Sequence, residues 1–218
     1  MVTVIAVETQ RSPGKKVKVH LDTGRSLNLS PSVVVEAGIH QGQRLSSQEI
    51  TRLKDSDRID RALECALRMV TLRPRSEREI GDRLARRGFG EATIQQVVAT
   101  LKNRGLADDA AFARFWTETR ERSRPRARRL MELELKQKGV DADTIAEALA
   151  EVDDEQGAYR AAQRRVRSLS GLKYADFRRR LGSFLQRRGF SYAVVVRTIG
   201  RVWHEQGNEC RTSGKEGF

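Results

Sequence analysis

Cysteine and histidine are scarce in this chain, aromatics are few, and there is no long apolar run. Two cysteines, Cys65 and Cys210, stand far apart among 218 residues. They have neither the paired spacing of a zinc site nor the density of a disulfide scaffold. Cys65 lies among Leu63, Ala66 and Leu67 and reads as a core thiol, and Cys210 falls in a polar, glycine-containing tail. His20, His40 and His204 are scattered, and His204 with Glu205 lacks the second histidine of a helical zinc motif. No stretch approaches the roughly 18 apolar residues of a membrane span. The opening MVTVIAVETQ lacks the basic region and apolar core of a secretory signal, so a cytoplasmic location is expected, without a membrane partner. No phosphate-binding P-loop occurs, since Gly88 and Gly90 stand between two helical patterns rather than after a strand. The sequence therefore offers no catalytic residues, no cofactor site and no metal site, and reads as a non-enzyme.

Acidic residues are also in deficit. Lys and Arg number 42 against 29 Asp and Glu, a net charge of +13, which describes a protein attracted to polyanions. Arginine supplies most of it, 33 residues against 9 lysines. Its planar fork suits carboxylates and phosphates. The arginines cluster as RERSRPRARR (Arg120 to Arg129), RRVR (Arg164 to Arg167), RRR (Arg178 to Arg180) and the pair Arg187 and Arg188. Residues 153–204 carry 12 basic against 4 acidic residues, whereas 109–152 carry 9 of each. The candidate partner-binding or nucleic-acid-binding surface is thus Arg73, Arg75, Arg124, Arg126, Arg128, Arg129, Arg160, Arg164, Arg167, Arg178, Arg179 and Arg187. Arg160, Arg164 and Arg167 share one helix face, with Tyr159, Ala162, Val166 and Leu169 pointing inward. Trp116, Trp203 and most phenylalanines recur with apolar helix faces and read as core rather than as base-stacking platforms.

The chain opens with strand patterns. VTVIAVE is β-branched, KVKVHL alternates, and DTGR leads into SLNLS as a hairpin. Pro31 starts a short helix ending near Gly38, and Ser46 or Ser47 caps another entry. From about Asp57 the pattern is wholly helical and repetitive. RLARRGF, ELKQKGV and FLQRRGF place Gly88, Gly139 and Gly189 at spacings of 51 and then 50 residues. Each glycine reads as the left-handed residue just beyond a helix, with basic residues in the last turn facing the negative end of the dipole. Arg73, Pro74 and Arg75 align with Arg124, Pro125 and Arg126, while the third copy has Tyr174, Ala175 and Asp176 there. Ser76 and Glu79 form a capping-box pattern. The acidic pairs Asp108, Asp109 and Asp153, Asp154 each open a predicted helix and read as caps rather than metal ligands.

The pattern predicts an all-α main body of tandem three-helix repeats, in three copies and as a monomeric, elongated, curved array, preceded by a small β-rich unit. The boundaries are 1–55 for the β-rich unit with short helices, 57–108, 109–152 and 153–205 for the repeats, and 206–218 for a frayed tail.

The segments ALRMVTLRPRSEREIGDRLARRGF, VVATLKNRGLADDAAFARFW and RRLMELELKQKGV strongly resemble the RecX family of bacterial recombination regulators. The resemblance covers about Asp57 to Glu205 and includes Arg73 to Ile80 and Leu106 to Ala113. It implies an array of three-helix repeats that binds the RecA recombinase in the groove of its filament on single-stranded DNA. The implied action is suppression of ATP hydrolysis and strand exchange in recombination and DNA repair, with direct DNA contact also within the family's range. Some members assist recombination instead. The competing expectation is a protein that binds nucleic acid directly through its arginines.

Overall fold

The computed structural model describes residues 1–9 and 16–212, with side chains for all of these except 207–212. The chain divides into two compact units, Met1–Ala107 and Asp108–Phe218.

The first unit opens with strands β1 (Val2–Thr9), β2 (Val17–Leu21) and β3 (Ser26–Leu29), followed by helix α1 (Pro31–Glu36) and the short strand β4 (Arg44–Leu45). The sheet is antiparallel in the order β3-β2-β1-β4. Alternation sends Val17, Val19 and Leu21 inward with Leu27 and Leu29, onto Val33 and Val34 of α1. The hairpin expected at Asp22–Arg25 is present, with Gly24 at φ +75°. Pro31 occupies the first turn of α1, and Gly38 follows it at φ +59°.

The helical portion of this unit consists of α2 (Ser47–Val70), α3 (Glu77–Ala85) and α4 (Glu91–Asn103). The sequence pattern separates a helix entry at Ser46–Leu53 from a first repeat helix at about Ile59–Leu72. In the structure both belong to α2, a single helix of 24 residues. Ser46 caps it with a complete capping box to Glu49. Asp57, in the middle of α2, is only 6% exposed and binds the strand unit to the helix. Its carboxylate accepts from the Ser30 N–H at 2.7 Å, the Ser30 hydroxyl at 2.9 Å and Lys16 Nζ at 3.2 Å. The α2–α3–α4 core centres on Ala62, Cys65, Ala66, Ile80, Leu84, Val97 and Leu101. Cys65 is buried and free, as expected.

The second unit contains α5 (Asp109–Ser123), α6 (Arg128–Gln137), α7 (Ala142–Ala148), α8 (Asp154–Val166), α9 (Tyr174–Gln186) and α10 (Tyr192–Thr212), with a 3₁₀ turn at Arg167–Leu169 after α8. Phe112, Met131, Leu135, Ile145 and Leu149 form one core. Phe177, Leu181, Leu185, Phe190, Val195, Ile199 and Val202 form another, which also takes in Ala127 from the segment before α6. α10 continues past residue 206, where the frayed tail was expected, to Thr212; residues 213–218 and the Cys210 side chain lie outside what is described.

The three signature glycines lie at φ +84°, +84° and +86°. After each, the next residue donates its N–H back to the signature leucine: Phe89 to Leu84, Val140 to Leu135 and Phe190 to Leu185. The glycine N–H reaches the following carbonyl, as in Gly88 to Ala85. This is the Schellman pairing, and only a residue at ease with positive φ completes it. Gly105, at φ +67°, ends α4 in the same way, with Leu106 donating to Leu101. Asp108 and Asp153 cap α5 and α8 through two N–H groups each.

Candidate nucleic-acid interface

The arginine candidates separate into three places. In the first unit, Arg73 and Arg75 both turn to Glu79, at 3.3 and 3.6 Å. In the expected capping box, Ser76 accepts from the Glu79 N–H at 3.1 Å, and the Glu79 carboxylate also pairs with these two arginines. Arg178 and Arg179 sit on α9 beside a groove of about 290 Å³ that also touches Tyr192 and Val196 on α10. Arg179 is paired with Asp176 at 2.7 Å, and the Arg178 guanidinium forms no hydrogen bond or ion pair among the described residues.

The remaining candidates converge where the segment between α5 and α6 meets α8 and the end of α9. The tie joins main-chain groups to one another and to arginine side chains. The Ala127 N–H donates to Arg188 O at 2.9 Å, and Arg188 Nη1 returns a bond to Pro125 O at 2.9 Å. Arg164, from α8, donates through both terminal nitrogens to the Arg122 and Ser123 carbonyls. Those are among the orphan acceptors at the negative end of α5, where a cation is most favourable. Arg160 bonds Glu121 at 2.8 Å. Glu134 on α6 accepts from Trp116 Nε1 at 2.8 Å, from Arg120 Nε at 2.7 Å, and from Arg126 Nη1. Trp116 packs on Phe112 with Arg120 over its ring, so it is core, as expected.

Two classes of arginine result. Arg126, Arg160 and Arg164 are committed to holding the junction. Arg124, Arg128, Arg129, Arg167 and Arg187 are exposed, and their guanidinium groups form no hydrogen bond or ion pair among the described residues. The Arg128 main-chain N–H is engaged by Asp154 at 2.7 Å. Arg160, Gln163, Arg164 and Arg167 line a cleft of about 430 Å³.

Arg188 registers the resulting field. Burial first, then the nearby cations Arg126, Arg124 and Arg164, hold its guanidinium below the ordinary value. It remains a cation, as arginine does. Part of that cluster is balanced by Glu134, but Arg124, Arg167 and Arg187 have no such counter-charge among the described residues. An incoming anion stabilises such an arrangement, and the arginine fork fits a phosphate oxygen pair. Sequence reasoning did not single out Arg188 or the carboxylates Glu121 and Glu134. Arg188 was visible within FLQRRGF, but its neighbours across the junction lie 63 residues away, a pairing no local pattern reveals.

Comparison with known proteins follows the same division of the chain. Models of the first, second and third three-helix domains of RecX match residues 62–101, 108–149 and 153–199. "Regulatory protein RecX" of Streptomyces lividans is 34% identical over 165 residues, covering 74% of this chain and 88% of the relative. The protein of the same name from Bacillus pumilus is 23% identical over 209 residues, covering 94% of this chain and 80% of its own. Among solved structures, "Crystal structure of regulatory protein RecX" superposes with a TM-score of 0.66 at 21% identity, covering 89% of this chain and 97% of that one. RecX from Lactobacillus salivarius gives a TM-score of 0.55 at 21% identity, over 67% of this chain and 97% of its own. At these identities the structures show the shared fold.

Proposed function

The chain belongs to the RecX family, and from that premise we propose that it modulates the RecA recombinase, binding the filament on single-stranded DNA and restraining ATP hydrolysis and strand exchange. The observation that carries this reading is the group of unpaired arginines at the α5–α6, α8 and α9 junction. Arg124, Arg167 and Arg187 present free guanidinium forks beside cations that are already locked in place. Such a surface needs little rearrangement to accept phosphates, because its scaffold of Arg126, Arg160 and Arg164 is already ordered by internal bonds. Restraint follows from occupancy: a chain seated across adjacent protomers opposes the relative motion that accompanies turnover and exchange.

The same free arginines favour a second reading, direct binding of bare nucleic acid through phosphate contacts. One experiment separates the two. Binding of single-stranded DNA is measured with and without the recombinase, together with the recombinase's DNA-dependent ATP hydrolysis. Regulation of the filament requires suppression at doses where bare DNA is not yet saturated; suppression only at doses that coat the DNA supports the second reading.

A further inference from the structure

The second unit carries, beside its arginines, a surface of opposite sign. Between α5 and α7 runs a groove of about 470 Å³ bearing Glu118, Glu121, Glu147 and Glu151 against a single cation, Arg114. Glu121 is taken by Arg160. Glu118, Glu147 and Glu151 are exposed and make no hydrogen bond or ion pair among the described residues. In a chain with 42 basic side chains, partners for three carboxylates are plentiful, yet these three are left open. Ala110, Ala148 and Val152 give the groove apolar ground.

A second observation points to a ligand here. Thr117 lines the groove, is only 5% exposed, and its hydroxyl has no hydrogen-bond partner among the described residues. Helical threonines can satisfy the hydroxyl on the carbonyl four residues back, as Thr51 and Thr100 do here. Thr117 does not, and a buried hydroxyl without a partner is costly unless something supplies one.

The chemistry selects the occupant. Open carboxylates repel phosphate and accept from guanidinium or ammonium groups. The apolar ground suits the aliphatic stems of arginine and lysine. A metal ion is the poorer fit, since no group of three His, Cys, Asp or Glu among the described residues is arranged to hold one. We propose that the α5–α7 groove binds an arginine- or lysine-bearing segment of a protein partner. On the recombinase reading above, which this part of the proposal rests on, that segment belongs to the recombinase. The filament is then recognised by two adjoining surfaces, arginines for phosphate and glutamates for protein. The Arg160–Glu121 bridge is the seam between them, because Arg160 lines the basic cleft and Glu121 the acidic groove.

The test uses the full chain and the triple variant Glu118→Gln/Glu147→Gln/Glu151→Gln, which keeps side-chain size at exposed positions and leaves the helical signal unchanged. A fluorescent nona-arginine peptide binds the wild type and loses at least about tenfold in affinity for the variant, the scale expected when open charges facing a cation are removed. Affinity for bare single-stranded DNA does not fall. Association with the recombinase filament weakens in parallel with the peptide. If the peptide fails to bind the wild type, or binds both proteins equally, the groove assignment is overturned. If the peptide discriminates but filament association is unchanged, the recombinase is not the groove's partner. If the wild type has no effect on the recombinase at all, the functional reading fails while the peptide measurement still decides the groove.

Discussion

Gly189 lies against Leu130: a β-carbon built on the glycine would stand 2.5 Å from Leu130 Cγ and 2.8 Å from its Cδ1. The cap that ends α9 is therefore also the surface on which α6 rests. Gly88, the corresponding cap of α3, has nothing within 4 Å of that position. The two glycines share a backbone conformation but not a packing environment. Gly88→Ala should cost about 1 kcal/mol for positive φ alone. Gly189→Ala should cost about 1–3 kcal/mol more, because the half-buried Leu130 packed against it must shift. Denaturant melts of the two variants check this; equal destabilisation would show that the packing against Leu130 is soft.

Glu134 joins three donors from two segments. Glu134→Ala removes the acceptor of Trp116, Arg120 and Arg126 while leaving those groups in place. A destabilisation of about 2–4 kcal/mol is expected for a partly buried, charge-assisted hub. The Trp116 emission should shift to the red as its indole N–H turns to water. An unchanged melt would mean that the hub is a solvent-screened surface arrangement.

Asp57 anchors α2 to the strand unit through Ser30 and Lys16. Asp57→Ala leaves the buried Ser30 N–H and hydroxyl without this acceptor, and the first unit should be destabilised by about 3 kcal/mol. Binding of bare DNA by the second unit should be unaffected. Hydrogen exchange, faster at β3 and α1 in the variant, is the direct observation.

Asp141 caps α7, accepting from the Thr144 N–H at 2.9 Å. The Thr144 side chain and main chain hold its carboxyl below the ordinary value of 3.8. Because the folded value is the lower one, the cap's contribution is present above the unfolded value and is lost as pH falls through the folded one. Asp141→Ala should therefore lower Tm near neutral pH, with the gap from wild type closing as pH falls below the ordinary carboxyl value of 3.8. A gap that persists in acid would locate the effect elsewhere.

The helices and their ends were legible in the sequence because their determinants are local. Leu84, Leu135 and Leu185 with the glycines that follow spell out a cap within six residues, and Asp108 and Asp153 do the same at helix starts. The strands of the first unit were legible for a similar reason, alternation at β2 and β3. α2 was misread as two helices because its polar middle, LysAspSerAsp at 54–57, looks like a connection; burial of Asp57 against Ser30, 27 residues away, keeps the helix continuous. β4 escaped notice because two residues carry no periodicity. The arginine surface was visible as composition only. Which arginines are free and which are structural depends on carboxylates and carbonyls across the junction, and Arg126 and Arg164 differ from Arg124 and Arg167 in nothing that sequence records.

The division between free and structural arginines is open to a decisive experiment. Arg124→Ala/Arg167→Ala/Arg187→Ala removes three free guanidinium groups and no internal bond, so the fold should be retained. The measurement is the salt dependence of binding to single-stranded DNA, taken alongside suppression of the recombinase's DNA-dependent ATP hydrolysis. Removing each arginine–phosphate interaction should flatten the slope of log affinity against log salt by about 0.7, so about 2 in all, with suppression shifted to higher dose. A variant that keeps both the wild-type slope and the wild-type dose response would contradict this reading, leaving these arginines as a solvated face.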